Sequence, residues 1–224
     1  MIYPIHVYGS PVLHKVSEPV TEFDDDLKQL VQDMYETTEE APGVGLAAPQ
    51  IGLDKAMFVW IYDDHDGPER GVAINPTLLI EPIDTQEPDK YEDAEGCLSF
   101  PGYPFPLRRS PYAVLRAQDE NGEWYELEAE GWFARILQHE YDHLQGRVFV
   151  DRLHGKTAKR VAQIMNLPID AHIACGELIH EHDLPLRCAP VFKLDINECQ
   201  TEVREMARQE LRDADGQIVE DAIL

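Results

Sequence analysis

Apolar positions fall into a helical period over residues 24–38, where Leu27, Leu30, Val31 and Met34 stand at i, i+3, i+4 and i+7 behind the acidic run Asp24-Asp25-Asp26. Negative charge at the first turn suits the helix macrodipole, so the segment reads as a helix. Gly43, Gly45 and Pro49 punctuate the following stretch as a loop, and the short apolar run Ala56 to Tyr62 has strand composition. A second strand is expected from Gly71 to Ile80, broken near Asn75-Pro76. Tyr112 to Gln118 and Glu123 to Glu128 flank Asp119-Glu120-Asn121-Gly122, and the Asn-Gly pair predicts a hairpin of two antiparallel strands. From Gly131 to Leu144 the period returns to that of a helix, with Phe133, Leu137, Tyr141 and Leu144 on one side and Gly146 placed to stop it. Strands around one long helix predict an α+β fold, with antiparallel strands packed around that central helix.

Past about residue 165 the pattern changes. Residues 166–224 hold 13 acidic and 5 basic side chains and are interrupted by Pro168, Pro185 and Pro190, with a clear period only over Thr201 to Leu211. This divides the chain into a domain at 1–165 and an acidic extension at 166–224. Across all 224 residues, 19 Lys and Arg face 43 Asp and Glu, a net charge of −24. Protonating all nine histidines would leave −15, so a phosphate backbone or an anionic membrane surface is repelled, and neither is expected as a partner. No apolar run reaches the roughly 18 to 20 residues of a membrane span. The opening Met-Ile-Tyr-Pro-Ile-His has no signal-peptide character, which points to the cytoplasm, where the four scattered cysteines stay reduced.

The most specific chemistry is His139-Glu140-Tyr141-Asp142-His143 inside the predicted helix. Residues four apart share a helix face, so both imidazoles reach one metal ion while Glu140 points beside it at a bound water. Two histidines leave a catalytic metal one protein ligand short. A protease continuation of the motif would place that ligand at Phe149, which cannot bind metal, and Glu177 and Glu181 lie in the proline-interrupted extension. Cys97, in Glu95-Gly96-Cys97-Leu98-Ser99, is the better candidate, a lone thiol in a polar segment with no obvious apolar setting. The loop Gly43-Val44-Gly45-Leu46-Ala47-Ala48-Pro49-Gln50 adds small residues for close backbone approach and a terminal amide. His172, Cys175, His180, His182, Cys188 and Cys199 in the extension match no zinc-site spacing.

These three segments, in this order, resemble the signature motifs of the peptide deformylases (GxGLAAxQ, EGCLS and QHExDH), in a likeness running from Val7 to about Leu153. The resemblance implies an iron-dependent enzyme that removes the N-formyl group from the formyl-methionine of newly made polypeptides. Cys97, His139 and His143 would hold the ion, Fe²⁺ with Zn²⁺ or Ni²⁺ as substitutes, and a water in the fourth position would lose its proton to Glu140 as general base. The Gln50 side chain and the Leu98 backbone N–H would stabilise charge on the formyl oxygen. Gly45 would border the formyl group, and Val44, with Ile136, the methionine pocket. Nascent formyl-methionyl chains, and with them the ribosome, are the implied partners.

One position departs from the pattern. Where some deformylases carry a peptide-binding arginine seven residues past the metal cysteine, this chain has Pro104, and the nearby Arg108 and Arg109 read as a solvated pair. A zinc endopeptidase and a non-catalytic binding protein are the two rival readings, and intact Glu140 and Gln50 weigh against the second.

Overall fold

A computed structural model describes residues 1–64, 67–83 and 86–165, so the extension, with its Thr201 to Leu211 period and its histidines and cysteines, lies outside the described residues. Helix α1 spans Asp25–Glu40. Asp24 caps it, its carboxylate accepting the Leu27 N–H at 2.9 Å. The helix runs two residues past the expected end, and Thr37 and Thr38 turn their hydroxyls back onto the carbonyls of Asp33 and Met34 (2.7 and 2.8 Å).

Five antiparallel strands form the main sheet: β1 (Gly45–Ala47), β2 (Met57–Asp64), β3 (Gly67–Ile80), β6 (Tyr112–Gln118) and β7 (Trp124–Glu130), in the spatial order β1-β2-β3-β6-β7. Between β3 and β6 in the chain come β4 (Ala94–Cys97) and β5 (Phe100–Pro106), a separate two-stranded sheet. Helix α2 (Gly131–Leu144) lies against the main sheet, and helix α3 (Gly155–Ile164) follows a 3-10 turn at Phe149–Arg152.

The unbroken apolar run of β2 is explained by burial on both faces of the sheet. Met57 and Val59 pack with Leu27, Val31 and Met34 of α1, whereas Phe58 and Trp60 pack with Phe133, Ile136 and Leu137 of α2. At roughly 2 kcal/mol for each fully buried large apolar side chain, this alternation clamps the sheet between two helices and fixes the orientation of α2. A third cluster joins the β4–β5 sheet, through Phe100 and Phe105, to Val148, Phe149, Leu153 and Val161.

The α+β architecture with antiparallel strands agrees with expectation, and α2 and the β6–β7 hairpin fall where the sequence put them. Gly146, at φ +71°, takes the left-handed position that ends α2. Two expectations change. The strand expected from Gly71 begins at Gly67, although the expected break near Asn75-Pro76 is present as a shift in register between Ile74 and Thr77, with Asn75 at φ +50° tied to Val20 and Gln118. The glycine-containing loop holds the short strand β1 and a 3-10 turn at Ala48–Ile51, because Leu46 and Ala47 are wholly buried and the strand pairs with β2. The third helix and the β4–β5 sheet carry no period readable in the sequence.

Candidate active site

Helix α2 and the end of β4 bring the predicted ligands together. The donor atoms of Cys97, His139 and His143 all lie within 4.8 Å of one another, and Cys97 Sγ is 3.3 Å from His143 Nε2. His139 and His143 are one helical turn apart on the buried side of α2, whereas Cys97 arrives from a different sheet 42 residues earlier in the chain. Burial pushes the Cys97 thiol up, but the neighbouring His143 and His139 imidazoles outweigh it and hold the group well below its ordinary value, as a thiolate. The same thiolate and Glu95 draw a proton onto His139 in spite of its burial. A soft thiolate with two imidazoles suits a divalent transition metal.

His139 Nδ1 faces Glu95 Oε1 at 2.7 Å, which would leave Nε2 free for an ion, a carboxylate–histidine pairing that metal sites commonly use. Glu95 is held in turn by Arg109, at 2.6 and 3.0 Å, and by Arg135 at 3.1 Å. Arg109 reaches on to Asp142 of α2 at 2.6 Å, and Arg152 closes on the same carboxylate. Burial raises the Asp142 carboxyl, but Arg109 and Arg152 bring it down to about 2. Arg109 is thus not half of a solvated pair. It is buried at 7% exposure, clamping the cysteine-bearing strand to the histidine-bearing helix, while Arg108 turns to Asp93 at 2.7 Å.

Glu140 is buried beside the three candidate ligands. Burial pushes its carboxyl up to about 7 although the two imidazoles pull the other way, and Oε2 has no hydrogen-bond partner. A carboxylate oxygen shut off from solvent without a partner is costly, and a water or ion in the site would satisfy it. Its position depends on Gly45: a Cβ there would sit 2.4 Å from Glu140 Oε1. Gln50, also buried, accepts the Ala47 N–H on Oε1 at 2.8 Å, which turns Nε2 toward Ser99 Oγ (3.3 Å) and Cys97 Sγ (3.6 Å).

A cleft of about 410 Å³ opens over these groups. Val44, Gly45, Gln50, Cys97, Leu98, His139 and Glu140 all line it, with Ile136 on the apolar side, and His143 is fully buried behind them. Trp132, 45% exposed, and Arg135 also form its wall, and neither was expected from the sequence. Glu95 and Asp142 were given no role from the sequence, and Arg109 was read there as solvated. The first two stand inside the motifs, but nothing in a single sequence marks an arginine whose partners lie 14 and 33 residues away.

An HExxH helix, a thiol beside its two imidazoles and a carboxylate and an amide over a cleft fit a class: metal-dependent hydrolases that act on an amide carbonyl. Comparison with known proteins narrows the class. The polypeptide deformylase family model matches residues 2–159. The peptide deformylase of Tropheryma whipplei strain TW08/27 is 47% identical over 173 residues, covering 72% of this chain and 86% of its own, and that of Mycolicibacterium smegmatis is 45% identical over 166 residues, covering 70% and 84%. The crystal structure of peptide deformylase from Thermus thermophilus superposes with a TM-score of 0.65 at 36% identity, over 79% of this chain and 99% of that one. The chain belongs to the polypeptide deformylase family.

Proposed function

We propose that this chain removes the formyl group from the N-terminal formyl-methionine of newly synthesised polypeptides, releasing formate. The observation that carries this reading is the convergence of Cys97, His139 and His143 beneath a cleft into which Glu140 presents a carboxylate with an unpartnered oxygen. Cys97, His139 and His143 would hold one divalent cation. Bound there, the cation supplies Lewis acidity, making water a nucleophile near neutral pH and polarising the formyl carbonyl.

The remaining work falls to the chain's own side chains. Glu140 takes a proton from water at its carboxylate and returns it to the departing amine. As the formyl carbon becomes tetrahedral, charge gathers on its oxygen, and the Gln50 Nε2–H and the Leu98 backbone N–H are the donors for it. Val44 and Ile136 receive the methionine side chain. Gly45, packed against Glu140 with no space for a Cβ, keeps out acyl groups larger than formyl. Fe²⁺ is the proposed ion, with Zn²⁺ or Ni²⁺ able to replace it, since affinity order favours zinc and availability decides occupancy in a cell. Residues 1–165 form the catalytic domain in this reading, 166–224 an acidic extension, and the substrate is met in the cytoplasm as it leaves the ribosome. Among the described residues no helix is long and apolar enough to cross a membrane.

An anaerobic assay of formyl-Met-Ala-Ser tests the reading, with free amine, formate and metal content measured on the same sample. Release of both products by wild type, and its loss in a Glu140→Gln variant that keeps its metal, is the expected result. Substantial turnover by Glu140→Gln refutes the assigned base, and hydrolysis of casein without deformylation favours an endopeptidase.

A further inference from the structure

The Gln50 side chain reaches across from a 3-10 turn to a strand end, and something must hold its amide in register. Its carbonyl end is fixed by the Ala47 N–H at 2.8 Å. That bond settles which end of the amide faces the cleft, because the backbone donor requires oxygen on its side. The NH₂ end then has two protons to place. One points at Cys97 Sγ over 3.6 Å, a long contact to a sulfur that also accepts the Ser99 N–H at 3.4 Å. The other goes to the hydroxyl of Ser99 at 3.3 Å, and Ser99 is wholly buried. Ser99 is itself anchored, since its carbonyl accepts the Tyr8 N–H at 2.7 Å.

We propose that Ser99 is a positioning residue for the reaction: its hydroxyl holds one proton of the Gln50 amide so that the other, held only by the long contact to Cys97 Sγ, can turn to the oxygen of the formyl group. The inference rests on the deformylase reading and on the oxyanion role given there to Gln50. Without the hydroxyl, the amide keeps its carbonyl tether but loses the acceptor that sets its plane. Both protons then compete for the thiolate, and the donor leaves the position where charge develops. Ser99 touches neither water nor substrate in this account and acts through Gln50 alone.

A double-mutant cycle on the metal-loaded protein tests it, with Ser99→Ala, Gln50→Ala and the double variant assayed on formyl-Met-Ala-Ser. A neutral hydrogen bond of ordinary net strength corresponds to roughly a 2- to 12-fold change in kcat. Ser99→Ala is expected to lose kcat by that factor with KM and metal content unchanged, and to cost nothing further once Gln50 is alanine. Should Ser99→Ala not fold, Ser99→Thr and Ser99→Val differ only by hydroxyl against methyl, and their kcat ratio carries the same factor. A readout independent of turnover is the pair of Gln50 side-chain amide protons in the NMR spectrum of zinc-loaded protein, where Ser99→Ala should move one resonance far more than the other. A wild type that releases no amine overturns the functional reading and this one with it. An active wild type together with an unchanged Ser99→Ala, or with a Ser99→Ala loss that persists in the Gln50→Ala background, overturns the role of Ser99 alone.

Discussion

Replacing Gly45 by alanine adds one methyl group at the point where β1 passes closest to the proposed base. The new Cβ would lie 2.4 Å from Glu140 Oε1, 2.7 Å from Cδ and 2.9 Å from Cγ, whereas ordinary contact begins near 3.4 Å. Something must retreat by about 1 Å. The backbone of α2 is poorly placed to do so, because Ile136, Leu137 and Leu144 are packed into the core under the sheet, and β1 is paired along its length with β2. The carboxylate of Glu140 moves instead. A displacement of about 1 Å in a reacting group costs roughly 10²-fold in rate, while overpacking of this size costs about 1 to 3 kcal/mol in stability. Gly45→Ala should therefore fold, retain stoichiometric metal and deformylate formyl-Met-Ala-Ser roughly a hundredfold more slowly in kcat. At Gly43 the nearest atom to an added Cβ is Leu98 Cδ1, at 3.1 Å, a flexible methyl that gives way, so Gly43→Ala should lose far less. A metal-loaded Gly45→Ala enzyme with turnover within about threefold of wild type would refute the placement of Glu140.

Gln50→Ala removes a single oxyanion donor and should slow turnover by roughly 10² to 10³ while leaving metal content intact, which kinetics and metal analysis on one preparation will check. Arg109→Leu removes the cation that Glu95 and Asp142 share and leaves them to Arg135 and Arg152, and a loss of about 1.5 to 3 kcal/mol is expected in urea unfolding. Because the Asp142 carboxyl is brought from 3.8 down to about 2 by Arg109 and Arg152, overcoming its burial, its contribution is complete above about pH 4 and disappears as pH falls toward 2. Unfolding of metal-depleted protein followed between pH 5 and 2 should show about 2 kcal/mol of pH dependence that is absent from Asp142→Asn.

The parts of this fold that could be read from the sequence are those whose determinants are local. Phe133, Leu137 and Leu144 announce α2 by their spacing, and Asn121-Gly122 announces the hairpin, because each signal lies within one element. Strand β5 hides behind Pro101, Gly102, Pro104 and Pro106, and only Phe100 and Phe105, which anchor it in the cluster under α3, show why it forms. Helix α3 is short and charged, and buries Val161 in a cluster that includes Leu13, Phe100 and Phe105, far from it in the chain. In the site, His139, Glu140 and His143 were legible from their helical spacing, and Cys97, Gln50 and Gly45 from motif context. The clamp of Glu95, Arg109 and Asp142 was not, since it joins a strand, a loop and a helix by charge complementarity that no periodicity records. Nor could spacing show that Ser99 and Gln50 meet, 49 positions apart.

X-ray absorption at the metal edge of anaerobically purified protein measures the ligand set itself. The account predicts one sulfur at about 2.3 Å and two imidazole nitrogens at about 2.0 to 2.1 Å when the site holds zinc, with the sulfur shell lost in Cys97→Ser. A metal shell of nitrogen and oxygen alone in the wild-type protein, with full deformylase activity, would contradict it.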